Sequence, residues 1–123
     1  MDAQLKRGLL DVCVLAAIKK EDTYGYQIIK DMKPFLEMSE STLYTIVKRL
    51  ETSGMLTVKT MEFDGRLRKY YHITHKGLKR LEEFRNEWDS IMNIYQFIVR
   101  EDKVLNEKRW VFSNIKKKFI RIT

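Results

Sequence analysis

The stretch from residue 39 to residue 74, SESTLYTIVKRLETSGMLTVKTMEFDGRLRKYYHIT, limits the possible folds more than any other part of this 123-residue chain. Ser39 or Ser41 offers a hydroxyl to cap a helix, although Thr42, three residues after Ser39, lacks the acid of a full capping box. Leu43, Ile46, Val47 and Leu50 recur at helical spacing, while Thr42, Tyr44, Thr45, Lys48 and Arg49 fall on the opposite face. Gly54 stands where a left-handed residue closes a helix. Two β-type runs follow, Met55–Phe63 and Leu67–Thr74, and Asp64-Gly65 between them is a strong hairpin signal. Arg66 beside the turn and Arg68, Lys69 and Tyr70 in the second run make this hairpin basic. A helix shaped for a groove, followed by a basic hairpin, is the layout of a winged helix-turn-helix, and its expected partner is double-stranded DNA.

Upstream, Leu5, Leu9, Val12, Cys13, Ala16 and Ala17 keep helical spacing over residues 4–19, and Leu10, Val14, Leu15 and Ile18 widen the apolar surface. A helix apolar nearly all round is expected to be buried on more than one side. Lys19-Lys20-Glu21-Asp22 stops it, and Thr23 is placed to cap a second helix over Tyr24–Lys33. Pro34 ends that helix, because the residue before proline avoids the α region. Tyr24, Ile28 and Met32 are its expected inward residues.

From about His75 a third pattern begins. Leu78, Leu81, Phe84, Trp88, Ile91, Tyr95 and Ile98 recur at alternating steps of three and four. Such a stripe belongs to a helix packed against another helix, and it outruns the core of so small a domain. A second copy of the chain is the expected partner. Beyond residue 100, Trp110, Phe112, Ile115, Phe119 and Ile122 interleave with Lys116, Lys117, Lys118 and Arg121. That tail has three open readings: a short helix docked on the body, a basic arm on DNA, or a solvated end. The fold class is therefore mainly α with a small β-hairpin. Residues 1–74 form the winged helix-turn-helix, 75–100 a dimerisation helix and 101–123 the basic-aromatic tail.

Composition removes other classes. With 44% apolar and 33% charged residues the chain can pack a core, so global disorder is not expected. The net charge of +7 is unevenly spread: residues 1–100 hold 17 Lys and Arg against 14 Asp and Glu, and residues 101–123 hold 7 against 3. A body this mildly basic must draw any nucleic-acid affinity from local clusters. No apolar run approaches the roughly 20 residues that span a bilayer, and MDAQLKRG does not read as a signal peptide, so a cytoplasmic location without a membrane partner is expected. A single cysteine, Cys13, excludes a disulfide framework, and in an apolar helix its thiol is expected to be unreactive. His72 and His75 lack a third metal ligand at a convincing spacing. No glycine-rich phosphate loop, nucleophile elbow or carboxylate pair stands out. Neither an enzyme nor a cofactor is expected.

With these residues in view, the chain resembles the PadR family of bacterial transcriptional regulators over residues 4 to about 99. The resemblance rests on Tyr24-Gly25-Tyr26-Gln27-Ile28, on Ser41-Thr42-Leu43-Tyr44 followed by Lys48-Arg49-Leu50-Glu51, and on Gly65-Arg66-x-Arg68-Lys69-Tyr70-Tyr71-x-Ile73-Thr74. Thr45 departs from the proline that many members carry, and the tail after residue 100 matches no family pattern. The short C-terminal region is similar to the compact branch of the family. The resemblance implies a homodimer that reads an inverted repeat and usually represses genes for stress, detoxification or drug efflux. For the compact branch it also implies a flat aromatic effector stacked on a tryptophan between the long helices. Trp88, eleven residues beyond Gly77, stands at the matching distance, with Leu9, Val12, Asp89, Met92 and Tyr95 as neighbours.

The expected DNA contacts are Thr42, Tyr44, Thr45, Lys48 and Arg49 from the groove-shaped helix and Arg66, Arg68, Lys69 and Tyr70 from the wing. Lys6 and Arg7 would touch flanking backbone, and the Tyr24 hydroxyl a phosphate. Plainer readings exist for the same residues: a solvated helix face, an edge hairpin kept soluble by charge, and a tryptophan that serves only an apolar interface. They correspond to a winged-helix dimerisation or adaptor protein with protein partners, or to a small-ligand carrier. Salt-sensitive DNA binding separates these from a regulator.

Overall fold

Asp2 accepts a hydrogen bond from the backbone N–H of Leu5 at 3.0 Å and starts helix α1, Ala3–Lys19. In this computed structural model the backbone of residues 1–122 and the side chains of residues 1–102 are described. Strand β1 (Thr23–Tyr24), helix α2 (Gly25–Met32), helix α3 (Glu40–Thr52), strands β2 (Leu56–Phe63) and β3 (Arg66–Ile73) and helix α4 (His75–Ile122) follow. The strands form one antiparallel sheet in the order β1-β3-β2. Helices, a winged sheet and a long C-terminal helix make a winged helix-turn-helix.

One local expectation is corrected. Thr23 does not cap α2; it is a buried strand residue paired with Tyr71, and the extended backbone of Tyr24 starts the helix without a side-chain cap bond. The β-hairpin is thereby a three-stranded sheet. Helix α1 packs against α2, α3 and β3, so it is buried on more than one side as expected, though not all round. Val12, Val14, Leu15 and Ile18 are buried, whereas Leu5 is 52% exposed and Ala16 is exposed.

The punctuation of α3 follows the sequence. Ser39 Oγ accepts from the Thr42 N–H at 3.2 Å, which makes Ser39 the cap. At the other end Gly54 takes φ +77°, its N–H donates to the Glu51 carbonyl at 3.0 Å, and the Met55 N–H donates to the Leu50 carbonyl at 2.9 Å. This paired arrangement satisfies carbonyls that a helix end otherwise leaves open. Between the caps Leu43, Ile46, Val47 and Leu50 are buried against Leu15, Ile18, Ile28, Leu56 and Ile73 in one cluster. Asp64 and Gly65 both have positive φ, 51° and 76°, as a two-residue type I′ turn requires, and they set Phe63 opposite Arg66.

Thr74 joins the wing to α4. Its Oγ1 donates to the Gly54 carbonyl at 2.6 Å and accepts from the Gly77 N–H at 3.2 Å, so one hydroxyl serves the end of α3 and the start of α4. Gly77 is pressed so closely against the Met55 carbonyl and Ile73 that a Cβ there would collide with backbone.

The chain divides into a compact unit Met1–Arg85 and a second beginning at Asn86. In the second, Trp88, Ile91, Tyr95 and Ile98 are each about half exposed (42%, 49%, 55% and 52%). The helix continues past residue 100 to Ile122. What the tail side chains touch lies outside the described residues, and so do the three readings of the tail.

Candidate nucleic-acid interface

Helix α3 presents a polar face because its apolar stripe is spent on the core. Thr42, Tyr44, Thr45 and Lys48 are all exposed on it. A helix of 13 residues is about 20 Å long and fits a major groove about 12 Å wide. Thr42 Oγ1 accepts from Ser39 Oγ at 2.9 Å, which leaves its own proton to be donated outward. Thr45 Oγ1 instead donates to the Ser41 carbonyl at 3.0 Å, so that proton is committed within the helix. Tyr44, 57% exposed, lies near enough to the buried Tyr71 to help raise the phenol pKa of Tyr71, after the larger effect of burial and ahead of Glu51. Helix α3 and the base of the wing share the core, where Leu43, Ile46, Val47 and Leu50 cluster with Leu56 and Tyr71.

Lys6 and Arg7 at the start of α1 line a groove of ≈ 290 Å³ together with Thr42, Thr45 and Arg49. Residues 35 or more positions apart in sequence are thus brought to one surface. Arg49 itself is engaged within the protein. Its Nη2 and Nε donate to the two carboxylate oxygens of Asp11 on α1, the latter at 3.4 Å, with the pair about three-quarters buried. Its charge is cancelled there, in contrast to the exposed Lys48.

On the wing, Arg66, Arg68 and Tyr70 share one face and Leu67, Lys69 and Tyr71 the other, as strand alternation predicts. At the base, the second face supplies Tyr71 and Ile73 to the core. On the first face the Arg68 guanidinium lies 4.0 Å from the centre of the Tyr24 ring and 4.4 Å from that of Phe63. Tyr24 also meets Tyr70 edge-on at 5.7 Å. Stacking holds the guanidinium plane while leaving its edge N–H groups to donate. Arg66, beside the turn, and Lys69, midway along β3, are exposed.

Two residues of this face were not among the expected contacts. Phe63 was legible in principle, since a two-residue Asp-Gly turn fixes the pairing and puts it diagonal to Arg68. Asp11 carried no local signal, because its partner is 38 positions away.

The expected effector residues fall in both units. Leu9 and Val12 belong to the first, where Val12 is 5% exposed and part of the core cluster; it offers a ligand no open surface in this chain. Trp88, Asp89, Met92 and Tyr95 belong to the second, with Met92 half-buried and the other three exposed. Of the two histidines, His72 pairs through Nδ1 with Asp22 at 2.7 Å. No cluster of potential metal ligands occurs among the described residues, and no described helix is long and apolar enough to cross a membrane.

Residues 14–83 match the model of the transcriptional regulator PadR-like family. A Streptococcus mutans UA159 protein of known crystal structure is 40% identical; the match covers 76% of this chain and 89% of that one, with a TM-score of 0.69. A PadR-like transcriptional regulator from Bacillus cereus strain ATCC 14579 is 31% identical, with 79% and 97% covered and a TM-score of 0.68. Bacillus subtilis PadR, whose crystal structure is of a complex with operator DNA, is 25% identical, with 62% and 46% covered and a TM-score of 0.57.

Proposed function

The chain belongs to the PadR-like family of transcriptional regulators, and on that footing we propose that it binds operator DNA as a homodimer and represses transcription. One observation carries the reading: the exposed, capped face of α3 with Thr42, Tyr44, Thr45 and Lys48 stands on the same unit as a hairpin that holds Arg66 and Lys69 in solvent and Arg68 in a fixed plane. The helix enters a major groove, Lys48 meets phosphate or guanine, and the hydroxyls of Thr42 and Tyr44 meet phosphates or base edges. The wing lies against backbone or an adjacent minor groove. Lys6 and Arg7 extend the contact along the flanking phosphates. The operator complex of Bacillus subtilis PadR supports DNA as the partner for this fold.

Dimerisation follows from apolar surface. Trp88, Ile91, Tyr95 and Ile98 are half exposed along one helix, an apolar stripe of the kind that marks a protein–protein contact. Two copies that pair through these helices carry two recognition helices and read an inverted repeat. A planar aromatic effector that stacks on Trp88, near Asp89, Met92 and Tyr95, releases DNA only if it prefers a helix spacing that the operator does not fit.

The test is titration of the purified chain against the DNA upstream of its own gene, with a scrambled duplex as competitor, at two salt concentrations. The reading predicts competitor-resistant binding that weakens steeply with salt. An adaptor that kept the fold would bind both duplexes weakly and alike.

A further inference from the structure

Arg49 sits in the last turn of the recognition helix, on the side that faces α1, and Asp11 sits at the middle of α1. The two meet through a fork: Nη2 donates to Oδ1 and Nε to Oδ2. Their side chains are only 26% and 23% exposed, so solvent and salt screen this pair less than an ordinary surface pair.

The caps of α3 leave one freedom open. Ser39 and Gly54 fix where the helix begins and ends, but neither fixes its rotation about its own axis. The buried stripe of Leu43, Ile46, Val47 and Leu50 restrains rotation through close packing on its core side, and a directional contact on the flank of the helix adds to that restraint. A two-bond fork to a neighbouring helix is directional. A rotation of about 20° would move a side-chain tip on a helix of about 5–6 Å radius by about 2 Å, beyond what a hydrogen bond to a base edge tolerates.

We propose that Asp11 and Arg49 form the joint that sets the rotation of the recognition helix on α1, and that Arg49 is a positioning residue for operator recognition, not a phosphate contact. The proposal rests on the operator-binding reading. Because the pair is neutral, it adds nothing to the charge that the interface presents to DNA. It acts on preference for the operator over other sequences, not on general affinity.

Opposite signs separate this from the alternative. If Arg49 were a phosphate contact restrained by Asp11, Asp11→Asn would free a cation, remove an anion and tighten binding to every duplex. A joint predicts the reverse for the operator. The experiment compares the full-length wild type with Asp11→Asn, Arg49→Lys and the exchanged pair Asp11→Arg/Arg49→Asp, on operator and scrambled duplexes at two salt concentrations. Arg49→Lys keeps the charge and loses the fork. Both single variants are expected to lose about ten-fold in operator affinity, with scrambled affinity within about two-fold and the salt slope unchanged. The exchanged pair is expected to recover most of the loss. Tightening by Asp11→Asn, wild-type behaviour of Arg49→Lys, or equal loss on both duplexes would each overturn the proposal. Wild-type protein that prefers no duplex would instead overturn operator binding itself, so the two failures are distinct.

Discussion

The guanidinium of Arg68 lies 4.0 Å from the centre of the Tyr24 ring, so a residue near the tip of the wing is held by the residue that begins α2. Phe63 closes the other side at 4.4 Å. The wing is thus tied to the helical body by a stack as well as by the sheet. The arrangement fixes the plane in which Arg68 offers its remaining N–H groups, and it separates two contributions. Arg66 supplies charge from an exposed position beside the turn, and Arg68 supplies charge from a stacked one.

Replacement of both, Arg66→Ala with Arg68→Ala, is expected to weaken binding to operator and scrambled DNA alike. The slope of log affinity against log salt should fall by up to about two, one for each lost phosphate contact. Fluorescence anisotropy over a salt series reads this directly. An unchanged slope would remove the wing from the interface.

Gly77→Ala should destabilise the folded chain by about 1–3 kcal/mol, the usual cost of adding a methylene where nothing can yield. The new Cβ would meet the Met55 carbonyl and come within 2.7 Å of Ile73 Cγ1, both at the seam where α4 leaves the wing. Denaturant titration measures the loss. Wild-type stability would mean that this seam is looser than described.

Ile91→Asp with Ile98→Asp places two carboxylates on apolar positions that are 49% and 52% exposed in the single chain. If two copies pair through α4, burial of these charges is unfavourable and the chain becomes monomeric. Sedimentation should show the smaller species, and operator affinity should fall far more than scrambled affinity. A dimer that persists would place the subunit contact elsewhere.

Alkaline pH should weaken the fold through two acids, the partly buried Cys13 and the buried Tyr71. Burial pushes the Cys13 thiol above its ordinary 9.0, and burial, then Tyr44, then Glu51, push the Tyr71 phenol above its ordinary 10.0. In each case the folded chain holds the proton more tightly than the unfolded chain. The stabilisation is therefore fully present below about pH 9 and is lost as pH rises through the raised folded values. Denaturation at stepped pH should show this fall, and Tyr71→Phe should flatten its upper part. A Tyr71→Phe profile that matches the wild type would assign the fall to other groups.

How much of this was legible from the chain depends on the range of each signal. Ser39, Gly54 and the Asp64-Gly65 turn act on neighbours within a few residues, and each lies where its local pattern put it. The polar face of α3 followed from a stripe of four apolar residues, and α4 from its repeat. Strand β1 was missed because two residues, Thr23 and Tyr24, are too short to show alternation and exist as a strand only through Tyr70 and Tyr71 of β3. The buried side of α1 was hidden by residues apolar nearly all round, which left tertiary packing to choose Val14, Leu15 and Ile18 over Leu5 and Ala16. The place of Arg49 on a polar face points to a DNA contact; only the fold reveals that Asp11 already holds it.

The most direct test of the central claim is selection of bound sequences from a library of random duplexes by the purified full-length chain at moderate salt. The account predicts enrichment of an inverted repeat whose half-sites lie about one helical turn apart (or a whole number of turns), and loss of that enrichment when Thr42, Tyr44 and Lys48 are together replaced by alanine. A selected pool with no shared sequence, or one unchanged by those replacements, would contradict it.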